Sequence, residues 1–133
     1  MGMTWARALG MTHCAVIALL SVGGTGCDSN LPTAAPHDLV DASASAGREK
    51  IAYYGCASCH TIPGIDGADG LVGPSLQHLA NRPYIGGVIE NTPSNLTRWI
   101  QDPPAIDAQT AMPNVRVSES DARAIAAYLY TLR

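Results

Sequence analysis

Cys56 and Cys59 stand three positions apart and are followed at once by His60. This C-x-x-C-H order constrains the chain more than any other feature, because it is the sequence of covalent haem attachment. Two thiols at that separation, near the end of a helix, reach both vinyl groups of one porphyrin as thioethers. The histidine next in line projects beneath the iron and offers a ring nitrogen as proximal ligand. Other uses of the pair explain less. A disulfide would suit an oxidising compartment but gives His60 no role. A zinc site needs a fourth ligand, and no second cysteine pair supplies one. A thioredoxin-like redox motif expects a βαβ context that the pattern lacks. One covalent haem c is the expected cofactor, held by Cys56 and Cys59.

A cofactor of this size also answers a shortage in the composition. The chain of 133 residues suffices for one small domain, yet it contains no Phe and only 5% aromatic residues. A packed interior would be thin, and small domains of this kind commonly need a staple. The charge balance excludes one class. With 8 basic against 11 acidic residues the net charge is −3, opposite to the basic face that nucleic acid demands. No nucleophile motif supports hydrolase chemistry, so neither nucleic acid nor a small-molecule substrate is expected as partner.

The first residues read as an export segment. A short start carrying Arg7 precedes an apolar run from Ala8 to Val22, then Gly23 to Gly26, then Cys27. That is the order of a secretory signal, and the run is short for a membrane span. The small residues leading into Cys27 resemble the lipobox of bacterial lipoproteins, in which cleavage precedes a cysteine that becomes lipidated. Gly24 stands where that motif usually holds a Leu-like residue. The resemblance implies lipidation of Cys27, with an uncleaved anchor or a later cleavage site as rivals. Residues 28–46 are rich in Pro, Ala, Ser and Asp without an apolar period, which suits a mobile tether. The expected organisation is a signal over 1–26, a tether over 27–45 and a domain over 46–133.

The domain reads as all-α. Gly47, Ile51 and Tyr54 share one helical face just before the cysteines. Thr92-Pro93 offers an N-cap and a proline at N1, Leu96, Trp99 and Ile100 form a stripe, and Pro103-Pro104 stops the helix. Ser118 and Asp121 resemble a capping box with Asp in place of Glu, ahead of an apolar face of Ala122, Ile125, Tyr128, Leu129 and Leu132. Nothing alternates with period two over a useful length, so no strands are expected.

Met112 is the expected sixth ligand. With the leader removed it is the only methionine, and it lies in a loop before the last helix with Pro113 beside it. His/Met ligation fills both axial sites and raises the reduction potential. His78 competes as ligand and reads instead as a surface helix residue, while His37 falls in the tether.

From Gly47 to Arg133 the chain resembles a class I c-type cytochrome of the small bacterial kind. The resemblance implies about three to five short helices wrapped round one covalently bound haem, with the first and last helices crossing. It implies that Gly47 permits their close approach with Tyr128 packed against it. It also implies that Pro74 packs on the haem face and that its carbonyl accepts the Nδ1–H of His60. Arg82, Tyr84 and Trp99 become candidates to bond the haem propionates.

The run from Asn81 to Gly87, the stretch from Leu96 to Pro103 and Met112-Pro113 are similar to cytochrome c domains associated with bacterial terminal oxidases. Lys50 is the only lysine, a departure from the lysine-ringed mitochondrial pattern. Docking is then expected to lean on apolar contact and confinement by the tether. The implied function is one-electron transfer without substrate chemistry, in a respiratory or related redox chain. The carrier would sit lipid-anchored on the periplasmic or extracytoplasmic face of a bacterial membrane, with a terminal oxidase or quinol-oxidising complex as partner. Two other classes stay open. One is a haem-relay subunit of a larger oxidoreductase complex; the other is a ligand-binding or peroxidatic haem protein with a labile Met112.

Overall fold

The computed structural model describes Leu39 and residues 42–133. The expected signal, Cys27 and most of the tether, including His37, lie outside the described residues. Four helices and one minimal hairpin follow in the order α1 (Ala44–Tyr53), β1 (Tyr84–Ile85), β2 (Ile89–Glu90), α2 (Pro93–Gln101), α3 (Pro103–Ile106) and α4 (Glu119–Leu129). Single 3₁₀ turns cover Cys56–Ser58 and Leu79–Asn81. The all-α expectation holds. No described helix is long and apolar enough to cross a membrane.

Helix α1 takes in residues that composition assigns to the tether. Ser43 caps α1 by accepting from the Ala46 amide at 3.3 Å, so Ala44 and Ser45 are helical rather than tether. Leu39, further upstream, is 1% exposed and joins the core. Leu39 and Val40 are an isolated apolar pair in a polar stretch, and a pair carries no period that could announce burial.

The packing of α1 on α4 organises the domain. Gly47 and Ile51 are the buried residues of α1, and a Cβ on Gly47 would sit 1.9 Å from the Ala124 carbonyl oxygen and 3.0 Å from Cβ of Tyr128. The backbone of α4 therefore forms the closest contact, and Tyr128 packs against Gly47 through its Cβ. Close approach is possible because α4 presents Ala122, Ala124, Ala126 and Ala127 among its buried residues. Ile125 and Leu129 supply its larger buried groups. The Tyr128 hydroxyl reaches away to donate to the Pro63 carbonyl at 2.7 Å.

Two local expectations are corrected and a third is extended. Only half of the capping box forms. Ser118 accepts from the Asp121 amide at 3.2 Å; the Asp121 carboxylate turns to α1 instead, accepting from the Tyr54 hydroxyl at 2.8 Å and pairing with Lys50 at 3.1 Å. Tyr54 is not within the helix but its C-cap. Pro103-Pro104 ends α2 as expected and also opens the single turn α3, since proline fits the first turn of a helix.

The hairpin was not expected. Tyr84 faces Glu90 and Ile85 faces Ile89 in an antiparallel pair, joined through Gly86 and Gly87 at φ 58° and 76°. Two residues per strand are too few to show alternation, so only the glycine pair could have marked the turn. Gly86 must also lack a side chain because a Cβ there would lie 2.6 Å from the Trp99 ring. Trp99 is buried with Leu96, Thr97 and Ile100 on α2.

The Asp121 contacts give the α1–α4 packing a pH dependence. The Tyr54 hydroxyl first, then Lys50, hold the Asp121 carboxyl below its ordinary value of 3.8, against the opposing effect of desolvation. A lowered carboxyl stabilises the fold above the unfolded-state value and loses that contribution as pH falls through the folded one. An Asp121→Asn chain is expected to unfold at lower urea concentration than the parent at pH 7. The gap should close as pH drops below about 3.8; urea midpoints across the acid range check it.

Candidate haem site

The end of α1 delivers the cysteines. Gly55 takes φ 71°, a left-handed turn that glycine adopts without steric cost, and the chain enters the 3₁₀ turn Cys56–Ser58. The amides of Cys59 and His60 both donate to the Cys56 carbonyl, at 3.2 and 3.0 Å. With three residues per turn, this winding carries Cys56 and Cys59 to one side. Both are half-buried free thiols. Burial pushes the Cys56 thiol up from 9.0, helped by the neighbouring Cys59 and opposed by a backbone hydrogen bond. It is therefore held as a neutral thiol at physiological pH.

His60 is fixed by main chain. Its Nδ1 lies 2.7 Å from the Pro74 carbonyl oxygen, which can only accept. The ring proton must sit on Nδ1, and the lone pair of a neutral imidazole is left on Nε2. The resemblance implied this bond, and the structure contains it.

The segment 69–76 straps the cysteine turn from the other side. Gly73 donates its amide to the Cys59 carbonyl at 2.7 Å, and Leu76 donates to the Thr61 carbonyl at 2.8 Å. The Thr61 hydroxyl donates to the Gly70 carbonyl at 3.1 Å. Thr61 and Asp69 form an isolated antiparallel bridge. The strap is too close for side chains at two positions. A Cβ on Gly70 would lie 2.6 Å from the Cys59 carbonyl carbon, and one on Gly73 would lie 2.4 Å from Cε1 of His60. Thr61 and Gly70 escaped sequence reasoning, since a bond to a carbonyl leaves no mark on the residue that supplies it.

Met112 is half-buried against the core, in a loop held by its own side chains. Its amide donates to the Thr110 hydroxyl at 3.2 Å. Asp107 and Asn114 accept in the same way from the amides of Gln109 and Arg116, at 2.9 and 2.8 Å. His78 is not helical. It sits exposed in a turn at φ 56°, ahead of the Leu79–Asn81 turn.

The three propionate candidates occupy different settings. Nη2 of Arg82 donates to two backbone carbonyls, those of Ser75 and Gln77. Tyr84 is largely exposed on β1, while Trp99 is buried beneath the hairpin. Asn91, not anticipated from sequence, binds the carbonyls of Leu79 and Arg82 through Nδ2 at 2.8 and 2.9 Å.

Two thiols on one side of a turn and an imidazole with Nε2 available fit a haem bound through thioethers. Among the described residues no group of three or more His, Cys, Asp or Glu could hold a bare metal ion. A small helical domain with that donor set is a c-type haem protein in class. Comparison with known proteins gives the family: the model described as Cytochrome c matches residues 44–133, and the chain belongs to the cytochrome c family. Membership implies covalently bound haem c and haem-based electron transfer.

Two curated relatives are subunits of an oxidase. The chain is 34% identical to cytochrome c oxidase subunit 2 of Alkalihalophilus pseudofirmus over 91 residues, covering 68% of this chain and 26% of that protein. It is 27% identical to cytochrome c oxidase subunit 2 of Bacillus sp. (strain PS3) over 89 residues, covering 64% of this chain and 25% of that protein. The chain thus spans about a quarter of the length of the curated relatives it matches.

The Gly73 contact is directly testable. Gly73→Ala places a methyl group against the His60 ring and is expected to lower the fraction of chains recovered with covalent haem. Mass spectrometry of protein matured beside the parent measures that fraction; an unchanged value would mean that the strap yields without disturbing His60.

Proposed function

We propose that this chain is a one-electron carrier with a single haem c, ligated by His60 and Met112 and working with a terminal oxidase. The observation that carries this reading is the Nδ1 bond from His60 to the Pro74 carbonyl. It orients the imidazole, leaves Nε2 for iron and raises its basicity as a ligand. When bound, the haem supplies an iron that exchanges one electron between its ferrous and ferric states. Cys56 and Cys59 fasten it through thioethers, each formed when a thiol S–H adds across a vinyl double bond. Met112 would contribute a thioether sulfur as the second protein ligand and leave the iron no position for exogenous ligands. Tyr84 and Trp99 serve the propionates, joined by whatever donors of Arg82 are not turned on the strap.

The partner is inferred from the relatives and from the surface. Leu71 and Val72 are 89% and 83% exposed, immediately ahead of the Gly73-Pro74 pair that holds His60. With Lys50 as the only lysine, the strap offers a redox partner apolar contact in place of a charged ring. Lipidation of Cys27 would hold the carrier on the extracytoplasmic face of a bacterial membrane and keep the partner search two-dimensional. The oxidase-subunit relatives also favour a second reading, in which the chain is a haem relay inside a larger complex.

Two measurements test these assignments. The ferric protein should show the weak far-red charge-transfer band of Met sulfur on iron, and Met112→Ala should abolish it. A high-spin parent, or a band indifferent to the substitution, would remove Met112 as ligand and favour ligand-binding chemistry. Cys27→Ser should move the chain from the membrane to the soluble fraction. If the variant stays on the membrane within a large complex, the relay reading is preferred.

A further inference from the structure

We infer that Arg82 is a positioning residue for the proximal ligand, acting on His60 through the strap. The inference deepens the carrier reading and rests on it for the role of His60. The side chain of Arg82 crosses to residues 75–77, where one nitrogen, Nη2, donates to the carbonyls of both Ser75 and Gln77, the latter at 2.9 Å. Ser75 follows Pro74 directly, and the Pro74 carbonyl is the acceptor for Nδ1 of His60 at 2.7 Å. Two carbonyls gripped by a cation are held by charge-assisted bonds, about twice as strong as neutral ones. The peptide that carries the histidine's acceptor is therefore fixed from its C-terminal side by Arg82. From the other side the Gly73 amide fixes it on Cys59 at 2.7 Å.

Arg82 can act as a clamp only if it is anchored, and its backbone is. Asn91 Nδ2 binds the Arg82 carbonyl at 2.9 Å and the Leu79 carbonyl at 2.8 Å. Asn91 Oδ1 accepts from the Tyr130 hydroxyl at 2.9 Å, and Tyr130 is the C-cap of α4. The neighbouring turn is tied to the same end of the chain, the Ala80 amide donating to the Leu132 carbonyl at 3.1 Å. A continuous line of hydrogen bonds thus runs from the end of α4 through Asn91 and Arg82 to the strap and His60. A lysine could supply charge at position 82, but its ammonium rides on a flexible stem and lacks the rigid planar fork that fixes the direction of the Arg82 donors.

The test follows the His60 ring itself. In the ferrous, haem-loaded full chain labelled with ¹⁵N-histidine, exchange of the His60 Nδ1–H with solvent is measured by NMR, alongside the α4 amides of Ala122 and Ile125. Arg82→Gln is expected to accelerate the His60 exchange roughly tenfold, as expected for loss of a charged hydrogen bond, and to leave the α4 amides unchanged. Arg82→Lys should fall between the two and covers the case in which Arg82→Gln takes up no haem. Unchanged His60 exchange in the variants overturns the clamp. So does a potential whose pH dependence shifts while the His60 proton does not, the signature of a propionate contact. Equal acceleration at His60 and in α4 overturns it too, as the mark of a purely structural role. A parent chain that takes up no haem overturns the carrier reading and the clamp together; a loaded parent with insensitive variants overturns the clamp alone.

Discussion

Backbone-to-backbone contact between α1 and α4 at Gly47 sets the place of everything that follows it in the chain. The carbonyl of Ala124 occupies the space a Cβ on Gly47 would need, so the helices meet at a separation no other residue permits. That approach brings Lys50 and Tyr54 of the α1 end to Asp121 at the start of α4. With the end of α1 pinned, the left-handed step at Gly55 has one direction in which to send Cys56. The position of the thiols is thus an outcome of alanine and glycine placement well away from them.

The site itself is built from main chain more than from packing. His60 is held by a carbonyl, the cysteine turn by the Gly73 amide, and Thr61 by the bridge to Asp69. Side-chain volume is excluded at Gly70 and Gly73, where the strap lies directly on the groups it orients. Hydrogen bonds of fixed length locate a ligand more sharply than apolar contact does, and support of that kind keeps a first layer of ligands in place. The composition makes the arrangement necessary. An interior without Phe, and with a run of alanines on its last helix, has little side-chain bulk with which to wedge an imidazole in place.

This division explains what the sequence disclosed. The paired cysteines and His60 were legible because the spacing is itself the chemistry. The Thr92 and Ser118 caps were legible because capping is a side-chain property, and the stripes of α2 and α4 because burial imposes a period. The strap was legible only as the likeness of Gly73-Pro74 to a known family; its bonds run between backbone atoms that any residue carries. Asn91 failed to stand out for a related reason, since an asparagine before Thr-Pro reads as a turn and nothing local shows that it grips two carbonyls. The capping box misled because Asp121 had a stronger offer from α1, a competition between partners 67 positions apart for Tyr54 and Asp121. Leu39 and the two-residue strands were too short to carry any pattern.

For a one-electron carrier, this style of construction has a functional consequence. Electron exchange changes the charge on the iron without requiring its ligands to move far, and it is faster when they do not. Ligands located by short bonds to a braced backbone have little freedom to relax between oxidation states, which is the sense in which a site is preorganised. Because that bracing is supplied from behind, by α4, Asn91 and Arg82, the outward side of the strap is left without a structural duty. Leu71 and Val72 stand exposed there, directly ahead of the glycine that lies against His60. The same segment can therefore hold the ligand with its backbone and meet a partner with its side chains, and neither task constrains the residues chosen for the other.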